Sequence, residues 1–109
     1  MLTKRDPFSP DSNTVIIKGN SAYQILIDKE DYNRIAGYRW YIRITRGVQY
    51  AFRKKTTGGR TFLIFMHRQI MHCPNDKVVH HINHNGLDNR KCNLLLVTSE
   101  QHKEIHRFT

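Results

Sequence analysis

Branched apolar residues are concentrated in short runs, and their spacing predicts a series of β-strands with few helices. Runs of this kind lie at 14–18, 22–28, 39–46, 48–54 and 60–66, and each has the length and composition typical of a strand. We expect a hairpin from the first two runs and a three-stranded antiparallel sheet from the other three. Between these groups, Asp28 stands at the N-cap of a short predicted helix over 29–36, and HRQIMH at 67–72 predicts another helical turn.

The three-stranded sheet is predicted to have one apolar and one charged face. In RWYIRITR and VQYAFRK, alternate positions are apolar or aromatic, which is the period of a half-buried strand. The expected core side chains are Trp40, Ile42, Tyr50, Phe52 and those of 62–65. The polar face should then present Arg39, Arg43 and Arg53 in rows.

The last third of the chain predicts strand, loop, strand and helix. KVVHHI at 77–82 and NLLLV at 93–97 are strand-like, and HNGLDNRK between them is dense in turn-forming residues. We interpret Asp88 and Asn89 as loop residues whose side chains bond nearby backbone. Thr98 and Gln101 fit a capping box, which predicts a helix beginning near Ser99.

Four histidines lie on these C-terminal elements. His80 and His81 are neighbours on a predicted strand, so their side chains should point to opposite sides of it. His102 and His106 are spaced i, i+4 and share one face of the predicted helix. One strand histidine can therefore share a metal ion with the helix pair, while the other accepts a proton. That combination suits metal-assisted hydrolysis.

The remaining histidines and the two cysteines show no comparable spacing. We expect His67, His72 and His84 to be ordinary surface or core residues. Cys73 and Cys92 form no CxxC pair, so buried free thiols are expected rather than a disulfide.

Charge indicates a polyanionic partner. The chain has 18 Lys and Arg against 9 Asp and Glu, a net charge of +9, and no acidic residue lies between Asn33 and Asn75. Nucleic acid is the expected partner, with most contacts made to phosphate. The candidate DNA-binding side chains are Arg39, Arg43, Arg53, Lys54, Lys55, Arg60 and Arg68, of which Arg68 is the candidate for the scissile phosphate.

Length and hydropathy favour one small intracellular unit. A chain of 109 residues with 39% apolar residues is long enough for one modest core. No apolar run is long enough to span a bilayer, and the polar N-terminus lacks a signal-peptide core. We therefore expect a cytoplasmic protein without membrane contact, whose residues 1–13 form a flexible N-terminal arm.

The segment VVHHINHNGLDNRKCNLLLVTSEQHKEIH resembles the HNH endonuclease motif, the ββα-metal or His-Me finger of phage and mobile-element proteins. The resemblance implies that His81 is the general base and that His80, His102 and His106 are metal ligands. It also implies that the Asn93 amide braces the loop and orients His81. Homing-type members commonly have Asp and Asn at the first two ligand positions. The histidines found here favour Zn²⁺ or Ni²⁺ over Mg²⁺, which prefers oxygen ligands, with Mg²⁺ and Mn²⁺ kept as alternatives.

The expected fold class is α+β, a small antiparallel sheet with a short helix followed by a C-terminal ββα-metal motif. Residues 14–72 would form a basic DNA-binding region and residues 73–109 the nuclease motif, within one compact unit. The expected function is a metal-dependent endonuclease that hydrolyses double-stranded DNA as a monomer or homodimer. One alternative is a non-catalytic DNA-binding protein whose structural zinc is held by Cys73 or Cys92 with His102 and His106. An RNA-cleaving toxin is another.

Overall fold

The computed structural model describes residues 13–107, with side chains through Ile105, and has a mixed α+β fold. The fold class is therefore confirmed at that level, whereas the predicted arm lies outside the described residues except for Asn13. None of the described helices is long and apolar enough to cross a membrane. The elements are β1 (Thr14–Lys18), β2 (Gln24–Asp28), α1 (Tyr32–Ile35), β3 (Tyr41–Thr45), β4 (Val48–Thr57), β5 (Arg60–Phe65), α2 (Met66–Ile70), β6 (Lys77–His81), β7 (Asp88–Asn89), β8 (Leu94–Thr98) and α3 (Ser99–Arg107).

The strands form three small sheets, two of which the sequence predicts. β1 and β2 form the N-terminal hairpin, and β3, β4 and β5 form the three-stranded antiparallel sheet. β6 pairs antiparallel with β8. The element that sequence reasoning missed is β7, which lies within the predicted loop and pairs in parallel with β2, Leu26 opposite Asp88 and Ile27 opposite Asn89.

The face assignment in β4 was wrong. Arg43 pairs with Tyr50 and Ile42 pairs with Ala51, and Ala51 is fully buried. Because residues i and i+2 of a strand share a face, Arg53 lies on the face of Ala51, opposite to Arg43. Aromatic side chains occupy both faces of this sheet, so the alternation of apolar and polar residues did not identify the inner face.

The predicted helix over 29–36 is shorter than expected, and its predicted cap is used differently. A 3-10 turn at Lys29–Asp31 precedes the four residues of α1. The Asp28 carboxylate makes no capping hydrogen bond to this helix. It accepts instead from the Lys91 backbone N–H at 2.9 Å, and the Lys91 ammonium donates to Glu30 at 2.9 Å. This acidic turn therefore fastens the C-terminal segment to the N-terminal hairpin.

One hydrophobic core joins both halves of the chain. Its buried members include Ile25, Ile27, Ile35, Trp40, Ala51, Met66, Ile70, Val79, Leu87 and Leu94. Since β2, β4, α2 and β6 all contribute, the basic region and the C-terminal segment share one core. The Trp40 indole N–H donates to the Ile35 carbonyl at 2.7 Å, which satisfies the polar atom of this buried ring.

The capping box of α3 is confirmed. The Gln101 backbone N–H donates to Thr98 Oγ1 at 3.1 Å, and the Thr98 N–H donates to Gln101 Oε1 at 2.9 Å. These reciprocal bonds satisfy backbone donors that a helix start leaves unpaired. They fix the first turn of α3, which carries His102, relative to the end of β8.

Gly86 gives a test of how closely the C-terminal loop packs on β4. A Cβ at this position would lie 1.9 Å from the Gln49 carbonyl oxygen, which belongs to the β4 backbone and cannot rotate away. We expect Gly86→Ala to lower the free energy of unfolding by at least about 2 kcal/mol, since overpacking against backbone forces the loop to shift. Chemical denaturation measures this effect.

Gly37→Ala is the matched control, because a Cβ there meets nothing within 4 Å. We expect its unfolding free energy to stay within about 0.5 kcal/mol of the parent protein. Equal effects of the two substitutions would contradict the contact between Gly86 and β4.

Candidate functional site

The two neighbouring histidines of β6 contact different groups of residues. Both are buried, His80 at 7% and His81 at 6% exposure, and they pair with Leu95 and Leu94 of β8. The His80 ring contacts the rings of two other histidines, whereas the His81 ring lies 4.8 Å from that of His67 and 5.8 Å from that of Tyr50. The alternation of a strand therefore separates them, as the sequence predicts.

On one side of β6, the His80 ring neighbours two histidines from other parts of the chain. The His80 ring centre lies 5.6 Å from that of His102 in α3 and 5.6 Å from that of His84 in the following loop. Two imidazoles that bind one ion at about 2.0–2.1 Å have ring centres roughly 5 Å apart, so both separations fit a shared cation. His84 was expected to be an ordinary residue, and its place here was missed. The side chain of His106 lies outside those described, so its ligand role stays a prediction.

A second group of metal-binding residue types lies far along the chain from these histidines. Among the described residues, Asp28, Glu30 and Asp31 form the group whose donor atoms all lie within 4.8 Å of one another. Cationic side chains pair with some of its oxygens, because Arg34 donates to Asp31 Oδ1 at 2.7 Å and Lys91 to Glu30 Oε1 at 2.9 Å, whereas Asp31 Oδ2 is buried without a hydrogen-bond partner among the described residues. These ion pairs give the acidic group a structural role.

The buried His81 ring is held by Asn89. The ring Nε2 lies 2.7 Å from the Asn89 amide oxygen, and the Asn89 amide nitrogen donates to the Met66 sulfur at 3.3 Å. An amide oxygen only accepts, so Nε2 carries the proton and donates, which leaves Nδ1 as the basic nitrogen of the ring. Asn89 was interpreted as a loop residue, and its contact with His81 is the main site feature that the sequence reasoning missed.

The Asn93 side chain braces the loop, as the resemblance implies. Its amide oxygen accepts from the Asn83 backbone N–H at 2.9 Å, and its amide nitrogen donates to Asn83 Oδ1 at 2.8 Å and to the Asp88 carbonyl at 2.9 Å. The orienting bond to His81, however, comes from Asn89. This correction follows from β7, whose parallel pairing with β2 fixes the Asn89 backbone.

The Asp88 carboxylate is buried, and both of its oxygens accept hydrogen bonds. Arg90 donates to both of its oxygens, at 2.7 and 2.6 Å, and the Asn83 amide donates at 2.9 Å. Such a bidentate pair is favourable for a buried carboxylate. Burial has the largest effect on the pKa of the His81 imidazole and lowers it, whereas the Asn89 hydrogen bond and the nearby Asp88 charge raise it by less. His81 is therefore held neutral, the form that accepts a proton.

His67 is a second neutral imidazole beside His81. Burial lowers the pKa of His67 to about 3, with further lowering from repulsion between the two rings when both His67 and His81 are protonated and from the Arg68 charge. Its Nδ1 is buried without a hydrogen-bond partner among the described residues. The ring packs against the rings of Tyr50 and Phe65 as well as that of His81.

This low pKa predicts a loss of stability in acid. The folded-state pKa lies below the unfolded value of about 6.5, so the unfolded chain takes up the proton first as the pH falls. Stability is then complete above pH 6.5 and declines toward pH 3, by at most about 1.4 kcal/mol per pH unit from this group. Denaturation at pH 6.5, 5.5 and 4.5 in chelator measures the slope, and His67→Phe should reduce it. An unchanged slope in the variant would show that His67 titrates normally.

A cavity of about 380 Å³ separates the three-stranded sheet from α3. Its polar walls are Arg43, Thr45, Tyr50, His67, Arg68 and His102. The cavity therefore connects Arg43 of β3 with two histidines. His102 neighbours His80, and His67 neighbours His81. His81 does not line this cavity itself. A general base can act through a single water molecule, so the 6% exposure of His81 is compatible with proton transfer beside the cavity.

The predicted DNA-binding side chains have different surroundings. Arg43 and Lys55 are exposed on the sheet, whereas Arg53 stacks over Tyr38 and donates to Gln69 at 2.7 Å. The Lys54 ammonium lies over the Tyr41 ring. Arg68 donates to the Pro74 and Lys77 carbonyls at 3.0 and 2.9 Å, so it supports the turn into β6, and its phosphate contact stays a prediction. Arg39 and Arg60 are exposed.

Both cysteines are free, as expected, but neither is fully buried. Cys92 is exposed, and the half-buried Cys73 thiol bonds the Pro74 and Lys77 carbonyls at 3.4 and 3.3 Å. No cysteine belongs to the metal-type group found among residues 13–105. No histidine belongs to that group either, so the group does not separate the structural-zinc alternative from the histidine site.

Comparison with known proteins addresses the C-terminal segment. Residues 71–104 match the model of a family described as HNH endonuclease. The predicted HNH resemblance is confirmed for this segment. The HNH segment, residues 71–104, contains β6, β7, β8 and the first turns of α3 and covers about a third of the chain. No curated protein and no solved structure matches the chain.

Proposed function

We propose that the protein is a metal-dependent DNA endonuclease in which His81 is the general base. The observation that carries this proposal is the hydrogen bond of His81 Nε2 to Asn89, because it leaves Nδ1 of a neutral imidazole as the proton acceptor. The family of the HNH segment indicates nuclease-type activity. Phosphodiester hydrolysis needs a proton acceptor for the attacking water and positive charge at phosphorus.

His80 and His102 would hold the divalent ion in this proposal, with one further imidazole. When bound, such an ion supplies Lewis-acid stabilisation of the charge on phosphorus and on the leaving oxygen. Imidazole ligands suit Zn²⁺ or Ni²⁺ better than Mg²⁺. His81 accepts the proton of the attacking water at Nδ1, and Asn89 keeps the proton on Nε2 throughout. The resemblance implies products with 5′-phosphate and 3′-hydroxyl ends.

The basic sheet supports DNA as the substrate. Arg43 lines the cavity that reaches His67 and His102, and the positive charge between residues 33 and 75 is not balanced by any acid. A phosphate bound by Arg43 would therefore lie at the mouth of the catalytic region. The exposed cations of the sheet would contact neighbouring phosphates, which position a duplex without reading its sequence.

Plasmid cleavage tests this function. We expect conversion of supercoiled to nicked DNA in the presence of Zn²⁺, Ni²⁺ or Mn²⁺, and none after treatment with a chelator. Structured RNA of equal charge serves as the competing substrate. DNA binding without cleavage under every metal would contradict the proposal and support a binding protein, whereas exclusive cleavage of RNA would support the toxin alternative.

Asn89 provides a prediction about the tautomer of His81. Asn89→Leu removes the acceptor and leaves a buried N–H unpaired, which costs about 1–3 kcal/mol of stability. We expect kcat to fall by at least about tenfold with little change in KM, because only the orientation of the base is lost. Asn33→Leu, at an exposed position, is the control. A change confined to KM would show that Asn89 acts in DNA binding.

A further inference from the structure

We propose that His84 is the third imidazole ligand of the metal site, together with His80 and His102. The proposal deepens the function above and rests on its metal site, but it concerns a residue that neither the motif nor the spacing of the helix histidines assigns. The ligands would then come from a strand, from the loop that follows it and from the helix.

The loop geometry places His84 beside His80. The His84 backbone N–H donates to the His81 carbonyl at 3.0 Å, which closes a turn and returns the chain toward the end of β6. The His84 ring centre then lies 5.6 Å from that of His80, at an interplanar angle of 82°. The His102 ring approaches His80 at the same distance, with an angle of 66°. His80 is therefore the common neighbour of both rings.

The backbone of His84 is held in an unfavourable conformation. Its φ is +63°, in the left-handed region that non-glycine residues adopt infrequently. Hydrogen bonds of its neighbours enforce this conformation, because Asn83 Oδ1 accepts from the Asn85 N–H at 2.9 Å and from the Asn93 amide at 2.8 Å. These bonds fix the backbone from which the His84 side chain extends toward His80.

The exposure of the three histidines fits an ion that remains accessible. His80 is buried, His102 is half-buried and His84 is exposed, so the site opens toward solvent on the loop side. Among the described residues only the acidic group brings all its donor atoms within 4.8 Å, so binding of one ion by the three imidazoles would require rotation about their side-chain torsions. Three imidazoles with an open position are a ligand set typical of catalytic zinc.

Metal binding by substituted proteins tests this inference without reference to cleavage. His84→Asn preserves the left-handed backbone, since asparagine tolerates that region. We expect its Zn²⁺ affinity, measured by competition with a chromophoric chelator, to fall by at least about tenfold, given that even second-shell partners are worth 10–100-fold. We also expect weaker d–d absorption of the Co²⁺ form. Stability of the metal-free protein should be unchanged or higher.

His72→Asn is the matched control, because His72 is also exposed, has a φ of +49° and lies in a different cavity, beside Leu63 and Ile64. Its Zn²⁺ affinity should equal that of the parent. His84→Gly repeats the test should asparagine itself bind the ion.

Three outcomes would overturn the inference. Parental Zn²⁺ affinity in both His84 variants would remove His84 from the site, while loss of affinity in His80→Ala would leave the proposed function standing. Loss in His106→Ala with parental affinity in His84→Asn would identify His106 as the third ligand. Absence of Zn²⁺ and Co²⁺ binding by the parent protein would contradict both the inference and the proposed metal site.

Discussion

Replacing His81 by alanine should lower the rate of DNA cleavage by about 10²–10⁴-fold, the usual contribution of a general base. The physical reason is that the neutral Nδ1 of a buried imidazole, fixed by Asn89, is lost with the side chain. Metal content and DNA affinity should remain within about twofold of the parent, because His81 faces away from His80 and His102. Single-turnover cleavage, elemental analysis and an electrophoretic binding assay measure these three quantities.

Chemical rescue sharpens this test. The cavity left by His81→Ala adjoins Tyr50 and His67, so added imidazole should restore part of the cleavage rate. His67→Ala is the comparison, since His67 also contacts this space but has no assigned proton transfer. Loss of metal together with activity in His81→Ala would reassign His81 as a ligand.

Replacing His80 or His102 by alanine should remove metal and cleavage together. Each contributes an imidazole to the site in this account, and losing one of three ligands should weaken Zn²⁺ binding by at least about 100-fold, more than a second-shell change. Cleavage should fall to background at metal concentrations that saturate the parent protein. Calorimetric titration with Zn²⁺ and plasmid nicking at matched free metal separate these two effects.

The two ligand variants should differ in stability. His80 is buried in β6, whereas His102 is half-buried in α3, so His80→Ala should also lower the unfolding free energy of the metal-free protein. His102→Ala should leave that energy nearly unchanged. Parental Zn²⁺ affinity in both variants would contradict the proposed ligands.

Local signals explain why the C-terminal elements could be predicted. The strand at 77–81, the second strand from Leu94 and the capping box of Thr98 and Gln101 each depend on residues a few positions apart. The opposite directions of His80 and His81 follow from strand alternation alone. These local features were sufficient to place one histidine with the helix and the other toward the core.

Features that depend on distant contacts could not be predicted in this way. Asn89 reaches His81 because β7 pairs with β2, whose residues lie about 60 positions earlier in the chain. Asp28 does not cap the helix as predicted, because its carboxylate accepts a hydrogen bond from the Lys91 backbone N–H, 63 positions later in the chain. His84 depends on a positive φ that the loop enforces. The spacing HHxxH within a run of turn-forming residues was the available signal for it.

The buried face of β4 was predicted wrongly for a different reason. Trp40 and Ile42 were assigned to the core correctly, whereas Ala51 was assigned to the outer face and is fully buried. A small alanine carries a weak hydrophobic signal beside Tyr50 and Phe52, so the larger residues dominated the pattern. The inner face is determined by what packs against it, and that information lies partly in α2, which contacts β4.

The most direct test of the central claim is the position of the metal in a Zn²⁺-loaded crystal, located by anomalous scattering at the zinc edge. The account predicts one peak within about 2.0–2.1 Å of an imidazole nitrogen of both His80 and His102, with His81 uncoordinated and bonded to Asn89. A peak coordinated by His81, or zinc bound at Asp28, Glu30 and Asp31 with none near His80, would contradict it.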